Sequence, residues 1–553
     1  MVLIFWKVTG NSPVTRPLVF TFLGEMTITT APATTITPTI TGVNGATVFE
    51  STGEEILDLY TMLNRGLSPD SIRKSVNTIL DQDPQKCSPK DLMVLLFQTR
   101  DVRGGKGEKD LFHTLLWAIH TRKKQWIQKV IHLIPEYGSY LDIIKIIDES
   151  YRRKELGLQR AALDFIELQL GNDLDALRMK KPVSLLVKWL PREGKKYSKV
   201  AELIAARMFN GEPKYRMKKY RLTLRDLTES LRTPEHHMCS GNWQALDFKT
   251  MPGRCLNGHT MAFKNLKKTK GGLIPRSTAH DRQQCAHNYN DFCTALTTGK
   301  VVAHGAHVVF PHEIVRKMVK SATDDIFPVL ESQFNDILRK MKSGLLGKTV
   351  AMCDTSGSMM EVRDTPFYVS IAMGLLCSSL NEGLFKNKVI TFDAEPRLVT
   401  LSPEKSLMDR IRDLDDAGQG YNTNLEKAVE LLYTTLVKSN EEPQHAPKYL
   451  LIITDMGFDA VTANKGDTHV EAIKKRFAVS KYNAPTIVIW NVREEYKQFS
   501  AEAYDRGVVM LSGWSPSILS LFEYPDLGSP MECLTRLLRT SPRYDQVRCV
   551  DFE

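Results

Sequence analysis

AMCDTSGSMM, residues 351–360, places one acid and two hydroxyls, Asp354, Ser356 and Ser358, at alternate positions directly after an apolar run. The run before it, 348–353, reads as a buried strand. The glycine and small hydroxyls after it read as a tight loop. Such a loop can present oxygens to a hard cation, hold a phosphate, or turn the chain with a serine N-cap.

Working outward, the hydrophobic period around this loop is that of strands. KTVAMCD, KVITFD, PRLVTL, YLLIITD, TIVIWNV and GVVMLSG are short β-branched apolar runs. Helical stretches such as PFYVSIAMGLLCSSLNEG and TNLEKAVELLYTTLVKS alternate with most of them. Alternation of this kind predicts a parallel sheet with helices on both faces, a doubly wound α/β domain over 347–553. Near-continuous apolar strands fit a sheet buried on both sides.

In such a sheet ligands bind beyond the carboxyl ends of the strands. Asp354, Asp393 and Asp455 each stand at a strand end, and the loop GQGYNTN ahead of a helix offers Thr423. Asp354, Ser356, Ser358, Thr423 and Asp455 are therefore expected on one rim. All are hard oxygen donors, which suit Mg²⁺, Mn²⁺ or Ca²⁺ rather than zinc.

The set D-x-S-x-S, a later Thr and an Asp after a further strand resembles the metal-ion-dependent adhesion site of a von Willebrand factor A domain. That resemblance implies metal ligation by Asp354, Ser356, Ser358, Thr423 and Asp455, with the second acid acting through water and one coordination position left for an acidic group of a protein ligand. The threonine loop departs from the family's usual Gly-Gly-Thr; here it is Gly-Tyr-Asn-Thr.

The front of the chain has a helical period. From about 53 to 230, and again over 311–346, segments of 12 to 20 residues carry apolar positions at i, i+3 and i+4 and end near Gly or Pro. Ser51 or Thr52 ahead of Glu54 and Glu55 reads as the cap of the first helix. Paired antiparallel helices stacked into a HEAT-like solenoid are the expected architecture for 51–346, although no repeat of fixed period is visible. An irregular insert is expected near 231–310, with an inserted loop over 265–300. Residues 1–50, rich in Thr and Pro from Met26 onward, read as a disordered leader, and Met26 is a candidate start.

Several stretches together, TRDVRGGKGEKDLF (99–112), IPEYGSYLDI (134–143), VKWLPRE (187–193), GYNTNLEKA (420–428), ITDMGFD (453–459), VIWNVR and LSGWSPSIL (within 488–519), resemble the family called domain of unknown function 2828. Helices followed by an A domain also resemble the Ro (TROVE) ribonucleoprotein. The first resemblance implies a fold and no activity; the second implies structured or non-coding RNA as a partner.

Charge is divided unevenly. Residues 1–347 hold 51 Lys and Arg against 35 Asp and Glu, and residues 348–553 hold 23 against 29. A front at +16 beside a back at −6 fits a polyanionic partner for the helical part, or a solubility bias of lysine-rich helices. The densest basic stretch, 178–225, interleaves Trp189, Tyr197, Tyr215 and Tyr220 with cations. Lys188, Arg192, Lys195, Lys196, Lys218, Lys219 and Arg221 are its candidate RNA contacts, because cations hold phosphate and rings stack on bases. Arg100, Arg103 and Lys106, in a Gly-rich helix-to-helix turn, are further candidates on the solenoid rim. That turn lacks the G-x-x-x-x-G-K-[ST] phosphate loop, and Gly104, Gly105 and Gly107 are expected at positive φ.

Nine scattered cysteines fit reduced thiols and a cytoplasmic setting better than a disulfide framework. His236, His237, Cys239, Cys255 and His259 lack the Cys-x-x-Cys knuckle usual for structural zinc. No run of 18 apolar residues exists, so no membrane span is expected. The sum predicts a non-enzymatic, monomeric, intracellular RNA-binding protein with a divalent-metal adhesion site. The alternatives are a protein-interaction scaffold without nucleic acid and a metal-dependent phosphoester hydrolase.

Overall fold

The computed structural model describes residues 38–552 apart from 43–44, 84–86, 306–308, 322–323, 342–343, 362–364, 393, 419–423, 457–467, 494–497 and 525. Asp393 and Thr423 lie outside the described residues.

The chain enters through a short antiparallel hairpin, β1 (Thr39–Thr41) and β2 (Thr47–Phe49). These residues belong to the segment expected as a leader. Val48 and Ala46 are buried, and Phe49 exchanges backbone hydrogen bonds with Phe499 at 2.8 and 2.9 Å. The pairing uses a partner 450 positions away, which a local reading cannot see.

Helices follow: α1 (Glu55–Met62), α2 (Pro69–Asp81), α3 (Pro89–Arg100), α4 (Lys109–Arg122), α5 (Lys124–Val130), α6 (Ile134–Tyr137), α7 (Tyr140–Arg153), α8 (Leu156–Arg178), α9 (Leu186–Trp189), α10 (Ser198–Met208) and α11 (Pro213–Leu231). Their starts are chemical. Ser68 and Ser88 cap α2 and α3, each with proline at the first helical position. Asp142 in the first turn of α7 accepts from the Ser139 backbone N–H at 3.0 Å. The hydroxyls of Ser51 and Thr52 do not cap α1; they donate to the Asp58 carboxylate at 2.6 and 2.5 Å instead. Neighbouring helices pack in local succession, α1 on α2, α3 on α4, α7 on α8 and α10 on α11.

Residues 231–310 hold more regular structure than the sequence suggests. They contain α12 (Pro234–Cys239), α13 (Gly253–Phe263), a hairpin of β3 (Leu266–Thr269) and β4 (Gly272–Pro275), and α14 (His280–Thr297). The expected loop at 265–300 is therefore a hairpin and an 18-residue helix. Cys285, Tyr289, Phe292 and Leu296 form its one buried stripe, narrow enough to be hidden among polar residues. Then come α15 (Pro311–Lys320) and α16 (Phe327–Lys340).

The last part builds a six-stranded sheet from β5 (Thr349–Asp354), β6 (Lys388–Phe392), β7 (Leu398–Thr400), β8 (Tyr449–Thr454), β9 (Thr486–Asn491) and β10 (Val508–Ser512), in the order β10-β9-β8-β5-β6-β7. All pairings are parallel except β6 with β7. The sheet is mixed rather than all parallel because the five-residue connection from β6 to β7 is too short for a crossover. Interleaved with the strands are α17 (Ser358–Glu361), α18 (Thr365–Leu380), α19 (Leu407–Ala417), α20 (Leu425–Lys438) and α21 (His469–Ala478); α22 (Pro530–Arg539) and α23 (Asp545–Arg548) close the chain.

Strand alternation sorts side chains onto two faces. Val350, Met352, Leu450 and Ile452 pack with Leu432 of α20 and Phe477 of α21. Ala351, Cys353, Leu451 and Ile453 join a core continuous with Leu57, Leu96, Phe112 and Ile143 of the front helices. Residues Thr37–Glu553 thus form one compact unit. Gly374 of α18 permits the close fit on one face, since a Cβ there would lie 2.2 Å from Cys353 Sγ. Among the described residues no helix is long and apolar enough to cross a membrane.

Candidate metal centre and basic surfaces

β5 and β8 lie side by side in parallel register, Cys353 opposite Ile453. Their carboxyl ends therefore deliver Asp354 and Asp455 to one rim, both fully buried. Asp354 Oδ1 accepts from the Ser356 backbone N–H at 3.0 Å and from Ser356 Oγ at 2.6 Å. Asp354 Oδ2 accepts from Thr454 Oγ1 at 2.7 Å. Ser356 Oγ lies 3.1 Å from Ser358 Oγ. Four of the five expected ligands are thus gathered around the DTSGS turn. Gly418 passes directly over it, because a Cβ there would meet Thr355 Oγ1 at 2.4 Å. Thr423 lies outside the described residues.

Arg493 joins this rim and was not singled out from the sequence. It stands two residues beyond β9, is 5% exposed, and donates from Nη1 to Ser358 O at 2.7 Å. The same nitrogen lies 3.5 Å from Asp455 Oδ2. The available signal was its position: a cation just past a strand end, on the strand next to β8. Burial pushes the Asp354 carboxyl well above the usual carboxylate range, and the like charge of Asp455 adds to it; the Ser356 and Thr454 donors oppose the shift. Two carboxylates and several hydroxyls thus stand on one rim. Among the described residues no three His, Cys, Asp or Glu side chains converge as a metal-binding group. Any metal here would rely on hydroxyl and water ligands beside the two acids. Cys255 and His259, from the histidine-rich stretch, meet each other at 3.9 Å across one turn of α13.

The basic candidates divide into two groups. Tyr220 donates from its hydroxyl to Pro191 O at 3.0 Å, which ties the loop before α10 to α11. Lys195 and Lys196 lie in that loop, and Lys218 and Lys219 lie on α11. All four are exposed, and among the described residues none makes an ion pair. Lys196 lies over the Tyr197 ring and Lys219 over Tyr215, at 5.2 and 4.7 Å. Arg192 donates to Thr228 Oγ1 at 3.2 Å, Arg221 pairs with Glu193, and Lys188 pairs with Glu235 at 2.8 Å.

The second group behaves otherwise. Lys106 is fully buried; its Nζ donates to Tyr60 O, Leu63 O and Ser512 Oγ. Arg100 is buried against Asp142 at 2.8 Å. These two are internal struts rather than rim contacts; only Arg103 is exposed, beside Glu136 at 3.2 Å. In the same turn Gly107 alone has positive φ, +68°. Gly105 is needed for space, since a Cβ would fall 2.0 Å from Gln98 O.

A profile of the family described as Domain of unknown function (DUF7788) matches residues 348–528, which span the six-stranded sheet and the carboxylate rim. An uncharacterised protein of Acanthamoeba polyphaga mimivirus is 25% identical over 511 residues, covering 90% of this chain and 86% of the viral protein. The similarity therefore reaches well into the helical front.

Proposed function

We propose that this protein is a non-enzymatic binding protein whose strand-end site holds one divalent cation and offers it to an acidic group of a protein ligand. The observation that carries this reading is the buried pair Asp354 and Asp455 on adjacent strand ends, with the Ser356 and Ser358 hydroxyls beside them. The donors are hard oxygens, so Mg²⁺ fits best, with Mn²⁺ or Ca²⁺ as substitutes. The mixed sheet supports reading 347–553 as a von Willebrand factor A-like, Rossmann-like domain, and the local helix pairing supports a HEAT-like front. On this reading Ser356, Ser358 and Thr423 would ligate the cation directly, and Asp354 and Asp455 would balance its charge. A bound cation supplies a Lewis-acidic position for a carboxylate. Arg493 neutralises Asp455 and fixes the Ser358 carbonyl, which holds the turn in place.

The test is Mn²⁺ binding followed by electron paramagnetic resonance on the full chain. One Mn²⁺ per chain, competed by Mg²⁺ and lost in Asp354→Asn, is the expected result. Equal binding by wild type and Asp354→Asn would remove this reading. Metal-dependent phosphoester turnover lost in Asp354→Ala would favour the hydrolase alternative instead.

Four exposed lysines that make no ion pair among the described residues, two of them over tyrosine rings, favour a second activity, RNA binding by a cytoplasmic Ro (TROVE)-like monomer of the domain of unknown function 2828 type. Nine cysteines without disulfides support an intracellular setting. Affinity for a labelled structured RNA should fall with salt as counterions are released. It should collapse when Lys195, Lys196, Lys218 and Lys219 are changed to Glu. Absence of binding at low salt would leave the protein-interaction scaffold.

A further inference from the structure

A cavity of about 450 Å³ opens where the α3–α4 turn, α16 and the segment Pro516–Glu523 meet. It shares no residue with the strand-end rim. Its size lies within the range of roughly 300–1,000 Å³ that suits small ligands.

The lining is cationic. Arg103 and Lys109 come from the α3–α4 turn and the start of α4, Arg254 from α13 and Lys340 from α16, with Arg100 in the wall, against Glu523 as the one acid of the lining. The acids that neutralise these cations are shared or distant. Glu136 serves Arg103 and Arg543 through the same oxygen. Asp336 accepts from the Gly305 backbone as well as from Lys340. Glu313 stands 3.4 Å from Arg254. Lys109 is half-buried, and among the described residues it makes no hydrogen bond or ion pair. Burial lowers its pKa, and the nearby Lys145 and Arg100 add to that, against the opposing Asp142 and Asp110. A wall that gathers five cations while most of their acids stand outside it, with one ammonium that makes no ion pair among the described residues, suits an anion.

Beside Ser139, Ser515, Ser517 and Ser520, the rest of the wall is largely apolar. Trp189 and Phe310 border the cavity, with Val309, Ile337 and Leu519 between the charged groups. Phe310 already stacks on His312 at 5.4 Å, which fixes its ring. Arg254 also lies over that ring at 5.7 Å, so stacking surface for a planar heterocycle falls to the Trp189 indole.

We propose that this cavity binds a free nucleoside monophosphate, with the phosphate among Lys109, Arg103, Arg254 and Lys340 and the base against the aromatic and apolar wall. No bond is made or broken.

The test is calorimetric titration of the full chain at low salt with AMP, GMP, CMP and UMP, beside the four nucleosides and a 5′-phosphorylated oligoribonucleotide. Saturable binding of at least one monophosphate, at least tenfold tighter than its nucleoside, is expected. Loss of one charged hydrogen bond should weaken it by tenfold or more in Lys109→Met. Arg254→Gln, from an exposed position on α13, should do the same and serves if Lys109→Met does not fold. No monophosphate binding at millimolar concentration would overturn the proposal. So would undiminished affinity in both variants, or binding of the oligonucleotide alone.

Discussion

Lys106 Nζ donates to Ser512 Oγ at 2.5 Å, joining residues 406 positions apart. The same ammonium holds Tyr60 O and Leu63 O at the end of α1, so it pins that helix to the last residue of β10. Gly513 lets the chain pass, because a Cβ there would lie 3.3 Å from Lys106 Cγ.

Lys106→Met should therefore cost about 2–4 kcal/mol, since it leaves buried acceptors unpaired at matched volume. Burial lowers the lysine pKa well below its ordinary value. Unfolding by urea, followed by circular dichroism, measures the loss. An unchanged midpoint would show that the strut carries no stability.

A second clasp closes the chain end onto the front. Arg543 donates from Nε and Nη2 to the two oxygens of Asp101 at 2.9 and 3.1 Å, and Tyr137 stacks on Tyr544 at 5.7 Å. Asp101 is fully buried, so Arg543→Ala strands its charge and should cost about 2–3 kcal/mol. The double variant Arg543→Ala with Asp101→Asn should recover part of that loss in the same urea experiment.

His312 gives an acid-sensitive element. It is 3% exposed, between Phe310 and Trp514, and its pKa falls to about 3 through burial, with Arg65, Arg254 and Arg316 adding repulsion. In the unfolded chain it titrates near 6.5. Below that pH the unfolded state takes up the proton first, so stability falls on acidification. The loss between neutrality and pH 5 should be about 2 kcal/mol. Denaturation at both values should show a smaller difference for His312→Gln than for wild type.

Asp354 has the opposite sign. Its raised folded pKa means that the folded state binds the proton more tightly than the unfolded chain. Stability of the metal-free protein should decline as pH rises above the ordinary aspartate range near 4. Mg²⁺ should flatten that slope by neutralising the carboxylate pair. Thermal melts across pH with and without Mg²⁺ test it; identical profiles, with metal or without, would count against the cation site.

Much of the sheet was legible because its signal is local. Each of the six apolar runs became a strand, and Asp354 and Asp455 stand at strand ends as their positions implied. The edge strand β7 reversed because a five-residue link permits a hairpin alone. Helix α14 escaped notice because its buried stripe is one residue wide amid polar neighbours. Arg493 escaped because nothing near it in sequence marks it as a neighbour of Asp455.

Local pattern by itself determined the six strands, most of the front helices and the acids at two strand ends, since periodicity and strand-end position depend on neighbours along the chain. Tertiary structure decided which charges face solvent and which are struts. Lys106 in the Gly-rich turn and Lys109 at the start of α4 stand three positions apart, yet one is sealed beneath α1 and β10 while the other opens into a cavity. That difference comes from what distant segments lay over each, because desolvation is a property of the assembled core and of no single stretch of sequence.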